Sequence, residues 1–259
     1  MGWEDLTPSE EVEAADWIRE RVRGFGVDVG SIIPHGFDAY ARIFHPAWRW
    51  SLHDPNATEV RWSAVAAAMS RTVHTEMQFH SIAVPAPGKD GAGAPWDGEP
   101  RLGVLPPRQV AALVLLLARE TSTPDRCWLC LWDGYGYFTA GATAIFTSTF
   151  WPEGQAPMQP PPPPQLLLPK APQRRVRMPG RDYMLFTGSV SQAEGWLDGP
   201  NLWWPDDHAW CVASEIDFPY TYVGGTRRLI ENILADPSIE ALPATTRDRI
   251  TWDSDSINT

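Results

Sequence analysis

The sequence predicts an α+β protein, a single domain with a mixed or mostly antiparallel sheet flanked by helices and with a long Pro-rich insertion loop. Helical patterns and short strand patterns alternate irregularly along the chain. A strongly apolar segment, residues 108–119, has the length of a helix, and several aromatic or β-branched runs have the length of strands. The 259 residues, 43% of them hydrophobic, are enough for one sizeable core.

Capping residues and chain breakers predict the first elements. A helix over residues 9–23 has acids in its first turn, bases in its last turn and Gly24 after its end. Two extended pieces are expected at residues 31–33 and 39–44, on either side of a Pro and Gly turn. Residues 62–69 repeat apolar side chains at helical spacing, which predicts a second helix.

The middle of the chain contains the helix expected at the centre of the core. Residues 84–101 are rich in Pro, Gly and Ala with little periodicity and are predicted to form an exposed loop. Consecutive prolines at 106 and 107 then open the helix 108–119, which is apolar nearly all round. Residues 127–132 follow as a buried strand that ends at an Asp-Gly turn.

A proline-rich segment separates the two halves of the chain. Residues 151–172 contain nine prolines, five of them consecutive, which favours polyproline II or irregular structure. The segment is a linker between domains, a docking strip for an aromatic groove, or an insertion in one domain. We favour the insertion, because the strands before and after it are too few for two independent sheets, and so we assign residues 1–259 to one domain.

The later half predicts four strands, one helix and a polar tail. The helix has Thr226 as its cap and ends at Asp236-Pro237. From Thr245 onward the chain is polar, and we expect it to be loosely held. The strands are predicted at residues 175–178, 182–187, 210–216 and 220–223, and the helix at 227–235.

Charge and composition exclude some classes of partner. The formal net charge is −11 and the isoelectric point is about 4.9, which argues against sequence-independent binding to nucleic acid. The longest apolar run, residues 110–118, is far shorter than the roughly 20 residues of a membrane-spanning helix. The first residues show no signal pattern, and three cysteines do not make a disulfide framework. We therefore expect a cytoplasmic protein that binds neither nucleic acid nor membrane.

Four strings of the sequence resemble those of a protein family of actinobacteria that has no known activity. They are residues 33–47, 123–136, 181–188 and 204–217. The resemblance covers nearly the whole chain and implies one inherited unit from about residue 30 to the end. It implies no catalytic residue, cofactor or partner.

The segment His74-Thr-Glu76-Met-Gln-Phe-His80 is the candidate for metal binding. In a strand, alternate side chains share a face, which would bring His74, Glu76 and His80 to one divalent cation. If the helix from residue 62 continued through the segment, Glu76 and His80 would share a face and His74 would point elsewhere. The interpretation that we favour is a solvated polar face without a metal.

Cys127 and Cys130 have the spacing of a zinc or redox pair. In a strand, positions three apart face opposite sides, and no second Cys-x-x-Cys pair exists to complete a zinc site. We favour buried thiols with no chemical role, and we expect the same for Cys211. The segment 223–226 precedes a helix, but it lacks the glycine spacing of a nucleotide site and is interpreted as a tight turn.

Residues 203–217 concentrate acids, tryptophans and a histidine. A strand over 210–217 would place Glu215 and Asp217 on one face, where two carboxylates need a base, a donor or a cation nearby. Buried ion pairs with arginines 42, 126, 181 or 227 are the simpler interpretation. The alternative is a ligand- or partner-binding cleft roofed by tryptophans. Its candidate residues are Trp203, Trp204, Asp206, Asp207, His208, Glu215, Asp217 and Arg181.

Two functional hypotheses follow from these patterns. The first is a non-catalytic binding or interaction protein, for example an immunity-like one, because negative charge, loop tryptophans and a proline-rich strip need no catalytic apparatus. Its partner is a protein or a small molecule. The second is a hydrolase that uses the carboxylates and histidines of residues 74–80 and 206–217, with or without a divalent metal. The second hypothesis requires these two segments to meet in one cleft.

Overall fold

The computed structural model describes residues 6–24, 26–51, 54–89, 93–135, 171–196 and 199–259. Among them, no helix has the length and apolarity needed to cross a bilayer. The helices are α1 (Asp16–Arg19), α2 (Trp62–Ala68), α3 (Phe79–Ile82), α4 (Pro107–Ala118) and α5 (Arg227–Ala235). The strands are β1 (Thr7–Pro8), β2 (Ala39–Phe44), β3 (Ala47–Ser51), β4 (Asp54–Val60), β5 (Cys127–Trp132), β6 (Val176–Met178), β7 (Arg181–Gly188), β8 (Leu202–Pro205), β9 (Cys211–Ser214), β10 (Tyr220–Gly225) and β11 (Ala241–Ala244).

Nine strands form one sheet in the order β1-β7-β5-β8-β9-β10-β2-β11, with β6 also paired to β7. Strands β3 and β4 form a separate two-stranded sheet. Each pairing between these strands is antiparallel. The predicted α+β class with a mostly antiparallel sheet is confirmed, whereas residues 151–170 of the predicted Pro-rich loop lie outside the described residues.

The large sheet has an apolar core on each face, because alternate side chains of a strand point to opposite sides. In β5, Leu129 packs into one core, while Trp128 and Cys130 pack into the other. The first core is closed by α4 and α5, and the second by α1, α2 and α3. Helices therefore flank both faces of the sheet, as the sequence predicts.

Three predicted elements are shorter or different in the structure. The helix expected over residues 9–23 is a 3₁₀ turn, Val12–Ala15, followed by the single turn of α1. It ends early because the Arg23 amide donates to the Gly30 carbonyl at 2.8 Å instead of to its own helix. The extended piece expected at 31–33 does not form, because Ser31 ends a 3₁₀ turn, Val29–Ser31, and the Ile32 and Ile33 amides both donate to the Val29 carbonyl. The strand expected over 210–216 is limited to β9, because Phe218 closes a turn onto the Glu215 carbonyl.

The C-terminal tail is fixed, which corrects the expectation that it is loosely held. Ser254, Asp255 and Asn258 are buried. The Asn258 side chain accepts from the Thr72 amide at 2.8 Å and donates to the Thr72 carbonyl at 3.0 Å. Arg71 donates to the Asn258 carbonyl at 3.0 Å. These polar contacts bind the tail to residues 71–78, far away in the sequence.

Candidate functional site

The predicted acidic and aromatic residues do not form one cleft. Strands β8 and β9 are antiparallel neighbours, with Trp203 opposite Val212. Asp206, Asp207 and His208 belong to the turn that joins them, whereas Glu215 and Asp217 follow the other end of β9. The two groups therefore lie at opposite ends of a hairpin.

Trp203 and Trp204 do not roof a site, which corrects a second expectation. They belong to β8 and are 2% and 0% exposed. Trp203 packs into the core under α4 and α5, and Trp204 packs into the core on the other face. Both rings are core residues because β8 runs through the middle of the sheet, between β5 and β9.

The acids of the β8–β9 turn attach the hairpin to a neighbouring loop. Asp207 accepts from the Ser122 amide at 2.7 Å and from the Thr121 hydroxyl at 2.8 Å. Burial alone would raise the pKa of Asp207, and these hydrogen bonds hold it below its ordinary value. Asp206 accepts from the Trp128 indole at 3.2 Å. The carboxylates of this turn therefore have structural partners.

His208 closes the same turn in a left-handed conformation. Its φ is +56°, an uncommon value for a residue other than glycine. The imidazole stacks on Trp17, with ring centroids 4.3 Å apart. Burial lowers the pKa of His208, while Asp206 acts in the opposite direction. The ring is thus held as a neutral aromatic surface.

At the other end of the hairpin, Arg181 bridges the two predicted acids. Its Nη2 donates to Glu215 Oε1 at 2.8 Å and to Asp217 Oδ2 at 3.0 Å. The Glu215 side chain is 4% exposed, whereas that of Asp217 is 68% exposed. Of the four arginines considered from the sequence, Arg181 is therefore the one that neutralises this pair. A small cavity of about 30 Å³ beside Arg181 and Glu215 has room for one or two water molecules.

The predicted metal ligands are not assembled. Residues 71–78 run as an irregular loop, so neither a strand face nor a helix face forms. His74 Nε2 lies 2.8 Å from Asp255 Oδ1, and Glu76 accepts from the Arg249 amide at 2.6 Å. Across the described ranges, no group of three or more His, Cys, Asp or Glu side chains is placed to hold a metal ion.

The three cysteines are free and buried, as predicted. Cys127 packs into one core, and Cys130 and Cys211 pack into the other. Burial raises the pKa of the Cys127 thiol to about 12 and also raises those of the other two. The Cys-x-x-Cys spacing therefore does not place two thiolates beside one ion.

Residues from the two predicted segments do meet in a different place. His80 and Asp217 line a cleft of about 350 Å³, within the usual size range of ligand pockets. We call it the His80 cleft. Leu102 and Trp252, which line it, are 53% and 75% exposed, unusually high values for large apolar side chains. The residues used below are His80, Glu99, Leu102, Asp217, Phe218 and Trp252.

Four parts of the chain build the walls of the His80 cleft. His80 belongs to α3, and Glu99 and Leu102 belong to the loop before α4. Asp217 and Phe218 lie in the turn between β9 and β10, and Trp252 lies on the C-terminal tail. Each wall depends on a tertiary contact, so the cleft exists only in the folded chain.

Gly103 fixes the loop before α4 against the β9–β10 turn. Its amide donates to the Phe218 carbonyl at 2.9 Å. Its φ is +71°, and a Cβ at this position would lie 2.9 Å from the Ile216 Cα. Because that approach is too close for any side chain, glycine is required here. The contact holds Leu102 and Phe218 on neighbouring walls.

The His80 cleft is negatively charged and partly aromatic. Its lining includes the carboxylates of Glu99 and Asp217 and, among the described residues, no Lys or Arg. Burial lowers the pKa of His80, while Asp255 and Glu99 act in the opposite direction. Since the ordinary value is near 6.5, His80 is mostly neutral at pH 7. The aromatic surfaces come from Phe79, Phe218, Tyr220 and Trp252.

A larger groove, of about 520 Å³, lies between α5 and β11. Its charged residues, Asp38, Arg227 and Glu231, carry both signs. None of the strongly exposed large apolar side chains of the described residues lines it, whereas two line the His80 cleft. The His80 cleft is therefore the better candidate.

The sequence indicates His80 and Asp217 as candidate site residues, but it contains no local pattern that points to Glu99, Leu102 or Trp252. Glu99 lies in the predicted loop, Leu102 directly follows that loop, and Trp252 lies in the predicted loose tail. Only contacts between distant segments bring them together. Comparisons of the chain with protein-family models, with curated proteins and with solved structures find no match, so function has to be argued from the site itself.

Proposed function

We propose that this protein is a non-catalytic binding protein that takes a small molecule in the His80 cleft. The observation that carries the proposal is the exposed indole of Trp252, which lines a concave site together with a second exposed apolar side chain, Leu102. Exposed aromatic and aliphatic surface next to a few polar groups is the usual composition of a ligand site. Buried free thiols suit a reducing compartment, and we propose the cytoplasm.

The composition of the cleft favours binding over hydrolysis. Its lining contains, within the described part of the chain, no Ser, Thr or Cys to act as a nucleophile. Asp217 already accepts a hydrogen bond from Arg181, which occupies one of its two carboxylate oxygens. The hydrolase hypothesis keeps one supporting observation, namely that His80 and two carboxylates line the same cleft.

The proposal is tested by a ligand-observed NMR screen of small aromatic and aliphatic molecules. Trp252→Ala removes the exposed wall, and Leu115→Ala, at a residue 61% exposed on α4, is the matched control. We expect a set of compounds that bind the wild type and Leu115→Ala but not Trp252→Ala. Compounds that bind all three proteins equally would place the site elsewhere. A compound converted during the experiment would favour the hydrolase.

A protein partner, including the immunity-like role, is distinguished by the same variants. A partner that covers the cleft would lose affinity in Trp252→Ala, whereas the small-molecule screen would yield no ligand. That pair of results would contradict the small-molecule proposal.

A further inference from the structure

We infer that the His80 cleft selects organic cations that have an apolar body, with the cationic head at the rim and the body inside. This inference rests on the proposed function and specifies its ligand class. It follows from where the charges, the apolar surfaces and the exposed indole lie in the cleft.

The negative charges lie at the rim. Glu99 and Asp217 are both exposed residues. Glu99 forms no ion pair with the described residues. Asp217 shares Arg181 with Glu215 and bonds it through only one of its oxygens. The Glu99 carboxylate and one oxygen of the Asp217 carboxylate are thus free to attract a cation.

The interior of the cleft is mostly apolar, apart from the buried Gln78 amide and the Tyr220 hydroxyl. Phe79, Tyr220 and Ile250 are buried residues that contribute to its lining. Phe218 stacks on Tyr220, with ring centroids 5.1 Å apart, and continues this surface towards the rim. An aryl or alkyl group placed here would leave water, which favours binding.

A buried arginine behind the cleft sets the direction of the ligand. The Arg42 guanidinium lies 3.7 Å from the ring centroid of Tyr220 and is itself buried. This fixed positive charge repels a cationic head from the interior, and the rim carboxylates attract it. The ligand therefore enters with its apolar end first.

Trp252 provides a site for the cationic head. One face of its indole is covered by the neutral imidazole of His80, and the side chain is still 75% exposed. Tryptophan is the aromatic side chain that attracts cations most strongly. The indole and Glu99 line the same cleft, so a single ammonium or guanidinium group at the rim is attracted by both.

The test uses three probes that share one body and differ in charge: 2-phenylethylammonium, 2-phenylethanol and phenylacetate. Affinities are measured by calorimetry or NMR titration at low and high ionic strength. We expect the cation to bind about tenfold more tightly than the alcohol at low ionic strength, and phenylacetate to bind most weakly. Added salt should weaken the binding of the cation but not that of the alcohol.

Variants separate the ligand class from the existence of the site. Glu99→Gln should lower the affinity for the cation and leave that for the alcohol unchanged, and Trp252→Ala should weaken both. Leu115→Ala is the control and should change neither. If the alcohol or phenylacetate binds as tightly as the cation, and Trp252→Ala weakens that binding, the inferred preference for cations is wrong. The proposed small-molecule site in the His80 cleft is then still supported. If no probe binds, or if Trp252→Ala leaves the affinities unchanged, the proposed function is contradicted as well.

Discussion

The imidazole of His80 lies flat on the indole of Trp252, with ring centroids 3.5 Å apart and planes only 1° from parallel. One ring belongs to α3 and the other to the C-terminal tail. The stack therefore joins two distant segments and forms one wall of the His80 cleft. It also gives His80 an apolar neighbour, in keeping with the lowered pKa of its imidazole.

Removal of the indole should release His80 to water. In Trp252→Ala we expect the pKa of His80 to rise towards its ordinary value near 6.5, because burial is the main cause of the lowering. Stability should change by less than about 0.5 kcal/mol, since Trp252 is 75% exposed. An NMR titration of the His80 ring protons measures the shift, with Leu115→Ala as the control. An unchanged His80 pKa would show that the stack does not set it.

His45 should make stability depend on pH. It is fully buried, its ring nitrogens bond to the Arg101 carbonyl and the Thr221 hydroxyl, and burial lowers its pKa to about 4. The unfolded chain therefore binds a proton more readily, with a pKa near 6.5. The stability that neutral His45 gives to the folded state is fully present above pH 6.5 and is lost as the pH falls to about 4. This loss lowers the free energy of unfolding by about 3 kcal/mol.

This dependence is isolated by comparison with a variant that cannot titrate there. Urea unfolding of the wild type and of His45→Gln is measured at several values between pH 7 and pH 4.5. The free energy of unfolding should fall more steeply for the wild type, because other groups titrate alike in both proteins. Parallel profiles would contradict the prediction.

The Arg181–Glu215 pair should show the asymmetry of a buried ion pair. Arg181→Met leaves the nearly buried Glu215 carboxylate without its cation and should cost about 3 kcal/mol. The double variant Arg181→Met with Glu215→Met should recover much of this loss, because no unpaired charge remains. Arg126→Met is the control, since that side chain is 70% exposed in its pair with Asp206. The free energies of unfolding are measured by chemical denaturation. If the loss in the double variant equals the sum of the losses in Arg181→Met and Glu215→Met, the prediction is contradicted.

Asn258 should be essential for holding the C-terminal tail. Its side chain bonds to both backbone groups of Thr72 and to Asp255. Asn258→Ala leaves those groups unpaired and should cost about 2 kcal/mol. Its neighbour Ile257 is 56% exposed, so Ile257→Ala should change stability by less than about 0.5 kcal/mol. Thermal unfolding compares the two variants, and equal melting temperatures would show that the tail does not stabilise the fold.

The three thiols should be unreactive in the native protein. All are buried, and burial raises their pKa values, so very little thiolate exists at neutral pH. A disulfide reagent such as Ellman's reagent should detect almost no thiol until denaturant is added, and then three per chain. Rapid reaction of any cysteine before unfolding would show that the core opens easily.

Local signals in the sequence correctly predict several elements. Helix α5 begins after Thr226, whose hydroxyl accepts from the Leu229 amide at 3.1 Å, and it ends at an Asp-Pro pair. Strand β5 is predicted with its observed bounds because a continuous apolar run ends at an Asp-Gly turn. In both, the residues that define the element are adjacent in the chain, so a single sequence contains the information.

The roles of Trp203, Trp204, Trp252 and Glu215 were decided only by tertiary structure. Trp203 and Trp204 are core residues because β8 lies between two other strands, and Trp252 is exposed because the tail crosses residues 71–80 at the surface. The choice of Arg181 as the partner of Glu215 depends on strands that are far apart in sequence. The sequence by itself determined the fold class, most elements and the burial of the cysteines, since hydrophobic period, caps and turns act over a few residues. Only the tertiary structure decided where the cleft lies, because its walls come from four segments whose contacts leave no local pattern.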